Sequence, residues 1–334
     1  MTRPVLQLDD LRVYYETRQG TVKAADGITL TLNEGERFGL VGESGSGKTT
    51  TALGILRMIK PPGRIAGGSI LLNGDVDILQ LSDEEMRKTR LSRIAMIPQG
   101  AMNSLNPVVR VKDQMILTMR THGEPGDDNQ MLKRIESLLD SVGLQPNVAQ
   151  LYPHELSGGM KQRVCIALAI SMSPQVILAD EPTSALDVIV QRRIMQTLRT
   201  LQEQLGAAVM LVGHDMGLMA QFVDRLGVMY GGKLVEVGTV EEIFNDPKHP
   251  YTQLLISSIP SLDRKRDFQG IPGMPLSLHD PPTGCLFHPR CPHVMKHCST
   301  EEPTQIEFET GRTALCLLYD EARIDRGIAD GSTA

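Results

Sequence analysis

The chain has 334 residues, of which 41% are hydrophobic and 22% charged, and its formal net charge is -6. It is long for one average domain and short for three. Its apolar content supports a buried core, which excludes disordered, fibrous and low-complexity classes. The acidic balance gives no overall attraction to a polyanion, so nucleic acid is not an expected partner.

The first ten residues lack the apolar stretch of a secretory signal, and nothing later approaches the ~20 apolar residues that span a bilayer. A cytosolic chain is expected, reaching any membrane only through other subunits. Residues 5–32 alternate as strands do, with turns at Gly20 and Gly27, and predict an antiparallel β-layer. Residues 38–41 read as a buried strand that stops at a glycine-rich turn, and residues 49–58 have helical spacing. Residues 83–150 are mostly helical in pattern, over 83–91, 111–119 and 129–142. They read as a helical insertion, placed at about 100–160, within an α/β domain. A helix at 160–171, a strand at 176–179, a helix at 188–205 and a strand at 208–212 then restore the alternation of a parallel sheet. Beyond Asn245, ten prolines from Pro247 to Pro303 interrupt any long element. The expected division is a main domain over 1–245 and a small C-terminal module over 246–334.

Gly42-Glu-Ser-Gly-Ser-Gly-Lys-Thr49 satisfies the phosphate-loop pattern in the setting it requires, after an apolar strand and before a helix. Backbone N–H groups of the loop and the helix N-terminus surround a β-phosphate, Lys48 neutralises β/γ charge, and Thr49 offers a hydroxyl to Mg²⁺. Gly42, Ser44, Gly45, Gly47, Lys48, Thr49 and Thr50 are therefore the ATP-binding candidates. The strand at 176–179 delivers Asp180 and Glu181 at its C-terminal end, where ligands gather in open α/β sheets. Asp180 suits the Mg²⁺ shell and Glu181 the polarisation of an attacking water, although an acidic pair after a strand also serves as a helix cap.

Between these two motifs stands Leu156-Ser157-Gly158-Gly159-Met160, followed by Lys-Gln-Arg-Val. It resembles the signature sequence of ABC ATPases, with Met160 where that family usually has glutamine. Ser157 and two glycines opening a helix make a second phosphate-binding helix N-terminus. The resemblance implies an ABC nucleotide-binding domain: a RecA-like α/β core, an antiparallel β-subdomain and a helical subdomain. It also implies roles for further residues. Gln99 matches the loop glutamine near Mg²⁺ and the nucleophilic water, Asp187 in Ser184-Ala-Leu-Asp187 the loop that signals across a dimer, and His214 the switch histidine at the γ-phosphate. Tyr15 is the candidate for stacking on adenine, with Tyr14 beside it. In this family two ATPase subunits pair head to tail, and each signature closes over the ATP held by the other.

Asn245-Asp-Pro-Lys-His-Pro-Tyr251 and the tail Gly284-Cys285-Leu-Phe-His-Pro-Arg-Cys291-Pro, with Cys298 and Cys316 beyond, resemble ABC ATPases of the oligopeptide, dipeptide and nickel importer family. Membership implies two transmembrane permease subunits, an extracytoplasmic solute-binding protein and a place on the cytoplasmic face of the inner membrane. Peptides are the default cargo, and oligosaccharides or nickel the alternatives. The non-transport ABC ATPases of DNA repair and translation carry long coiled coils or a second ATPase domain, and neither is present in this sequence. Four crowded cysteines among prolines and glycines suit one iron–sulfur cluster or one tetrahedral zinc, with a disulfide pair or free thiols as the plain alternative. The resemblance implies a [4Fe-4S] cluster at Cys285, Cys291, Cys298 and Cys316. Cys165, in the helix after the signature, reads as a small buried residue.

Overall fold

The computed structural model describes residues 3–100, 104–184, 186–259, 270–308 and 311–320. The expected antiparallel layer is built on β1 (Pro4–Thr17) and β2 (Gly20–Asn33), paired through Leu8 opposite Leu30 and Val13 opposite Ala25. β3 (Arg37–Val41) then runs into the glycine turn and α1 (Lys48–Ile55). The helix ends earlier than its spacing predicted, because the chain turns at Leu56 and Arg57 takes a φ of 50°. β4 (Gly63–Leu72) and β5 (Val76–Asp77) return to the first layer, giving the order β2-β1-β4-β5. β4 escaped the sequence reading because its three glycines blur the alternation, and pairing with β1 (Leu8 opposite Ile70, Leu6 opposite Leu72) makes it a strand.

α2 (Asp83–Ser92) opens on a reciprocal Ser82–Glu85 capping box and leaves helical geometry at Arg90 and Leu91. β6 (Ile94–Ile97) follows, which corrects the helical reading of this stretch. A four-residue apolar run carries no period that separates strand from helix, and only its parallel neighbour decides. α3 (Val111–Thr121) and α4 (Asp128–Ser141) form a helical layer, each burying one stripe: Val111, Met115 and Met119, then Met131, Ile135 and Leu139. The α/β alternation resumes with α5 (Gly158–Ile170), β7 (Val176–Asp180), α6 (Val188–Leu205), β8 (Ala208–Gly213), α7 (Met216–Phe222), β9 (Arg225–Tyr230) and β10 (Lys233–Thr239).

After α8 (Val240–Asn245) and α9 (Pro250–Ser257) come irregular turns, and then β11 (Gln305–Glu307) and β12 (Thr313–Leu315). The main sheet has the order β11-β12-β10-β9-β3-β8-β7-β6. Strands β9, β3, β8, β7 and β6 are parallel, and β10, β12 and β11 extend the sheet antiparallel. Successive side chains of the central strands face two different cores, so these strands are apolar throughout. Phe38, Leu40, Val176 and Leu178 face α1 and the antiparallel layer, whereas Val41, Ile177 and Ala179 face the helical side.

Tyr251 and Phe287, from beyond residue 245, are fully buried in the helical-side core, their rings 5.4 Å apart. Glu236 of β10, itself buried, pairs with Arg312 at 2.7 Å and accepts the backbone N–H groups of Lys248 and His249. This network fastens the start of α9 and the approach to β12 onto β10. His249 caps α9 by accepting the Tyr251 N–H, and burial lowers its pKa to about 3. The unfolded ring titrates near ~6.5, so between that pH and about 3 the unfolded chain holds the extra proton and stability falls with falling pH. Melting temperature should therefore drop more steeply between pH 6.5 and 4.5 in the wild type than in His249→Asn, which keeps a capping acceptor without the titration. Parallel melting profiles for the two proteins would refute the assignment.

Candidate functional site

Register sets the site. Val41 stands opposite Gly213, and Asp180 opposite Val212, so the chains leaving β3, β7 and β8 emerge at one level on the carboxyl edge of the sheet. The glycine loop leaves β3, Glu181 leaves β7 and His214 leaves β8. Lys48, 7% exposed at the start of α1, donates to the carbonyls of Gly42 and Glu43 at 2.8 Å and to Ser46 Oγ at 3.3 Å. Burial lowers its pKa, and the carboxylates of Glu181, Asp180 and Glu43 oppose that shift. Thr49 donates to Asp180 Oδ1 at 3.1 Å. Asp180 is 1% exposed, and burial raises its pKa against the Thr49 hydrogen bond. Ser44 and Gly45 lie exposed at the loop's tip, and Thr50 follows half-buried in α1.

Glu181 is held from both sides. Gln99 Nε2 donates to its Oε2 at 2.9 Å, and His214 Nδ1 lies 3.2 Å from its Oε1. Its backbone φ is 43°, in the left-handed region that costs a non-glycine residue ~1–3 kcal/mol. The Glu181 N–H donating to Val212 O at 2.9 Å, and the Ser184 N–H donating to Glu181 O, keep it there. The strain turns the carboxylate toward the loops from β6 and β8. Residues 82 and 33 positions apart in the chain thus meet on one carboxylate.

The signature lies on other elements. Ser157 caps α5 by accepting the Met160 N–H, and the helix opens at Gly158, two residues before the predicted start. Leu156 is buried beneath this turn, and Gly158 and Gly159 form its first residues. α5 packs on α4, α6 and β6, whereas α1 packs on β1, β2, β7 and β8. The phosphate loop and the signature of one chain are therefore carried by helices with different packing partners. Asp187 caps α6 through the Val190 N–H, and Ala185 of the same loop lies outside the described residues. Tyr15 packs half-buried against Ile59 and Gly63, while Tyr14 donates to Asp26, and burial pushes its phenol up to about 12.

The four tail cysteines lie within electrostatic reach of one another. Burial, with contributions from neighbouring thiols, raises the pKa of Cys285, Cys291 and Cys316, the last to about 12. The Met295 N–H donates to Cys298 Sγ at 3.4 Å, and nearby backbone N–H groups oppose the rise at the other three sulfurs. Among the described residues no group of three or more His, Cys, Asp or Glu side chains is arranged so that it could hold a metal ion. Cys165 is buried, and burial pushes its thiol up to about 12.

Two residues that sequence reasoning left without a role reach the phosphate loop. The Arg290 guanidinium pairs with both oxygens of Glu43, at 2.8 and 2.9 Å, and Tyr251 Oη accepts the Glu43 N–H at 2.9 Å. Separations of 247 and 208 residues carry no local sequence signal.

The chain matches two families: "ABC transporter" over residues 25–184, and "Oligopeptide/dipeptide transporter, C-terminal region" over residues 235–298. It is 42% identical to the dipeptide transport ATP-binding protein DppD of Caldanaerobacter subterraneus, covering 96% of this chain and 98% of that one. It is 37% identical to the oligopeptide transport ATP-binding protein AppD of Bacillus subtilis, covering 95% and 97%. Among solved structures it is similar to the ATP-binding cassette MJ0796, dimeric with ADP and Pi, at a TM-score of 0.63 and 28% identity over 70% of this chain and 98% of that one. Among the described residues no helix is long and apolar enough to cross a membrane. A phosphate loop, an acidic strand end and a signature helix on one parallel sheet, with relatives matched over nearly their whole length, make this chain an ABC ATPase, a member of the ATP-binding subunits that carry the oligopeptide/dipeptide transporter C-terminal region.

Proposed function

We propose that the chain is the motor of an importer of dipeptides or oligopeptides, hydrolysing ATP at the edge of its parallel sheet. The observation that carries this is the meeting of Gln99, Glu181 and His214 beside Lys48, Thr49 and Asp180, in a chain whose relatives are dipeptide and oligopeptide transport ATP-binding proteins. Glu181 takes the proton of the attacking water, its carboxylate aimed by Gln99 and His214. Lys48 and the N–H groups of Gly42, Ser44, Gly45, Gly47, Thr49 and Thr50 hold the phosphates. Mg²⁺, for which Thr49, Asp180 and Gln99 supply hard oxygen ligands, screens phosphate charge when bound. Tyr15 is assigned to the adenine.

The signature helix packs on other elements than the phosphate-loop helix, and the similar cassette MJ0796 is dimeric; both support a head-to-tail pair, in which Leu156, Ser157, Gly158 and Gly159 cover the partner's ATP and Asp187 signals between the two. Val188 and Ile189, exposed at 78% and 67% beside Asp187, and Val108 and Leu117 on the helical layer are apolar surfaces suited to subunit contact. The remaining partners are two permease subunits and an extracytoplasmic solute-binding protein, with the motor peripheral on the cytoplasmic face of the membrane. The ATPase domain is assigned to 1–245 and the cysteine-bearing extension to 246–334, with the helical subdomain at about 100–160. We assign Cys285, Cys291, Cys298 and Cys316 to a [4Fe-4S] cluster. Four cysteine sulfurs within electrostatic reach of one another are the kind of donor set a thiolate-held cluster uses, and zinc would use the same donors. Such a group would staple a proline-rich segment rather than act on ATP.

The test is purification of the tagged chain from its host, anaerobically and in mild detergent, with analysis of co-purifying subunits and of iron, sulfide and zinc. Two multispanning proteins and a second ATPase, with about four irons and four sulfides per chain, is the expected result. A chain recovered without membrane partners would sink the importer assignment. A permease pair whose binding protein takes oligosaccharide or nickel would redirect the cargo, and one zinc per chain would replace the cluster.

A further inference from the structure

The phosphate loop is gripped from outside by the C-terminal extension. Arg290 stands on the turn His288–Arg290, between Cys285 and Cys291, and its side chain is 5% exposed. Every guanidinium nitrogen is used: Nη1 and Nη2 donate to the two Glu43 oxygens, Nε donates to Pro272 O at 2.9 Å, and Nη1 also reaches Tyr230 Oη at 3.4 Å. Gly273 lies against the side chain's aliphatic stem, so the group is enclosed as well as paired. Glu43 is the second residue of the phosphate loop, and its carbonyl accepts the Lys48 ammonium. Its N–H is taken by Tyr251, whose ring is buried against Phe287 and Tyr230, at 5.4 and 4.7 Å. A bidentate guanidinium–carboxylate pair fixes direction as well as distance. Losing the Glu43 carboxylate, itself half-buried, leaves the buried Arg290 charge unpaired.

We infer that Arg290 and Tyr251 are positioning residues for the phosphate loop, so that the cysteine-bearing extension sets the affinity of the ATP site. They act through Glu43: its side chain points to Arg290, its N–H points to Tyr251, and only its carbonyl faces the lysine. Held at these points, the loop presents its remaining N–H groups to the phosphates without first having to be ordered, which lowers the cost of binding. Glu181, Gln99 and His214 stand on other loops and are untouched by this clamp. The consequence is a split effect: nucleotide affinity depends on the clamp, and turnover at saturation does not.

This rests on the assignment of the loop to ATP, so wild-type binding is measured first in the purified complex, with a fluorescent ATP analogue and with ATPase kinetics. Arg290→Met and Glu43→Gln should each raise the Kd and KM for ATP about tenfold, a change of ~1.4 kcal/mol, with kcat held within about twofold. The double variant should match either single one, because both remove the same interaction. Arg290→Lys should fall between wild type and Arg290→Met, since it keeps the charge and loses the fork. Tyr251→Phe, which deletes one hydroxyl from a packed ring, should raise Kd in the same sense and serves if Arg290→Met does not fold. Unchanged Kd in folded Arg290→Met or Tyr251→Phe, or effects of Arg290 and Glu43 that add independently, would overturn the inference alone. A wild-type complex that binds no ATP would overturn the underlying assignment with it.

Discussion

Glu181→Gln should lower ATP turnover by about 10²- to 10⁴-fold, the range in which a positioned general base contributes. The substitution is nearly isosteric, and the amide oxygen can still accept from Gln99, whose Nε2 lies 2.9 Å from the carboxylate. What is lost is basicity at the position that Gln99 and His214 hold. Nucleotide affinity should survive, because the phosphate loop and Lys48 approach from β3 rather than β7. Single-turnover hydrolysis beside equilibrium binding separates the two quantities. Hydrolysis at the wild-type rate would remove Glu181 from the chemistry and make its hydrogen bonds to Gln99 and His214 a structural tie only.

Gly47→Ala should weaken ATP binding by about 10²-fold, the effect of displacing a binding group by ~1 Å. Gly47 has a φ of 102°, and a Cβ there would lie 2.0 Å from the carbonyl oxygen of Ala24 in β2. The obstacle is backbone in a paired strand, so the loop itself must move. Its own carbonyl, which accepts from Thr51 N–H and Oγ1 at 2.8 and 3.0 Å, would then pull the first turn of α1 out of line. Strain at such a position costs ~1–3 kcal/mol of stability besides the loss of binding. Gly45→Ala is the comparison: its φ is 79°, yet nothing lies within 4 Å of its Cβ position, so it carries strain without collision. Titration of both variants with ATP and a thermal melt of each should rank Gly47 well above Gly45. Equal losses would mean that backbone strain alone, and not the close approach to β2, governs the loop.

The candidate site was legible where function writes itself into contiguous residues. Gly42 to Thr50, Asp180 with Glu181, and the turn at Leu156 to Met160 each combine a special backbone with a reactive side chain at fixed spacing, so one stretch of sequence states both chemistry and geometry. Gln99 and His214 were legible only through family resemblance, since a lone glutamine in a loop and a lone histidine after a strand carry no spacing of their own. β4 and β6 were missed for a different reason: glycines or brevity left no period, and a partner strand made the decision. Beyond Asn245 the prolines are legible, but the pairing with β10 through β12 and the burial of Phe287 are not, because both depend on contacts with earlier elements of the chain.

Taken by itself, the sequence determined the elements whose causes are local: apolar strands buried on both faces, capped amphipathic helices, and a phosphate loop whose glycines permit its backbone. Tertiary structure alone decided which edges meet. It brought Gln99 and His214 onto the two oxygens of Glu181, gave the signature helix other packing partners than the phosphate-loop helix, and closed Arg290 on Glu43 across 247 residues. The physical reason is that local propensity acts over a few residues, whereas strand register and the desolvation of a buried ion pair depend on partners that only the folded chain supplies.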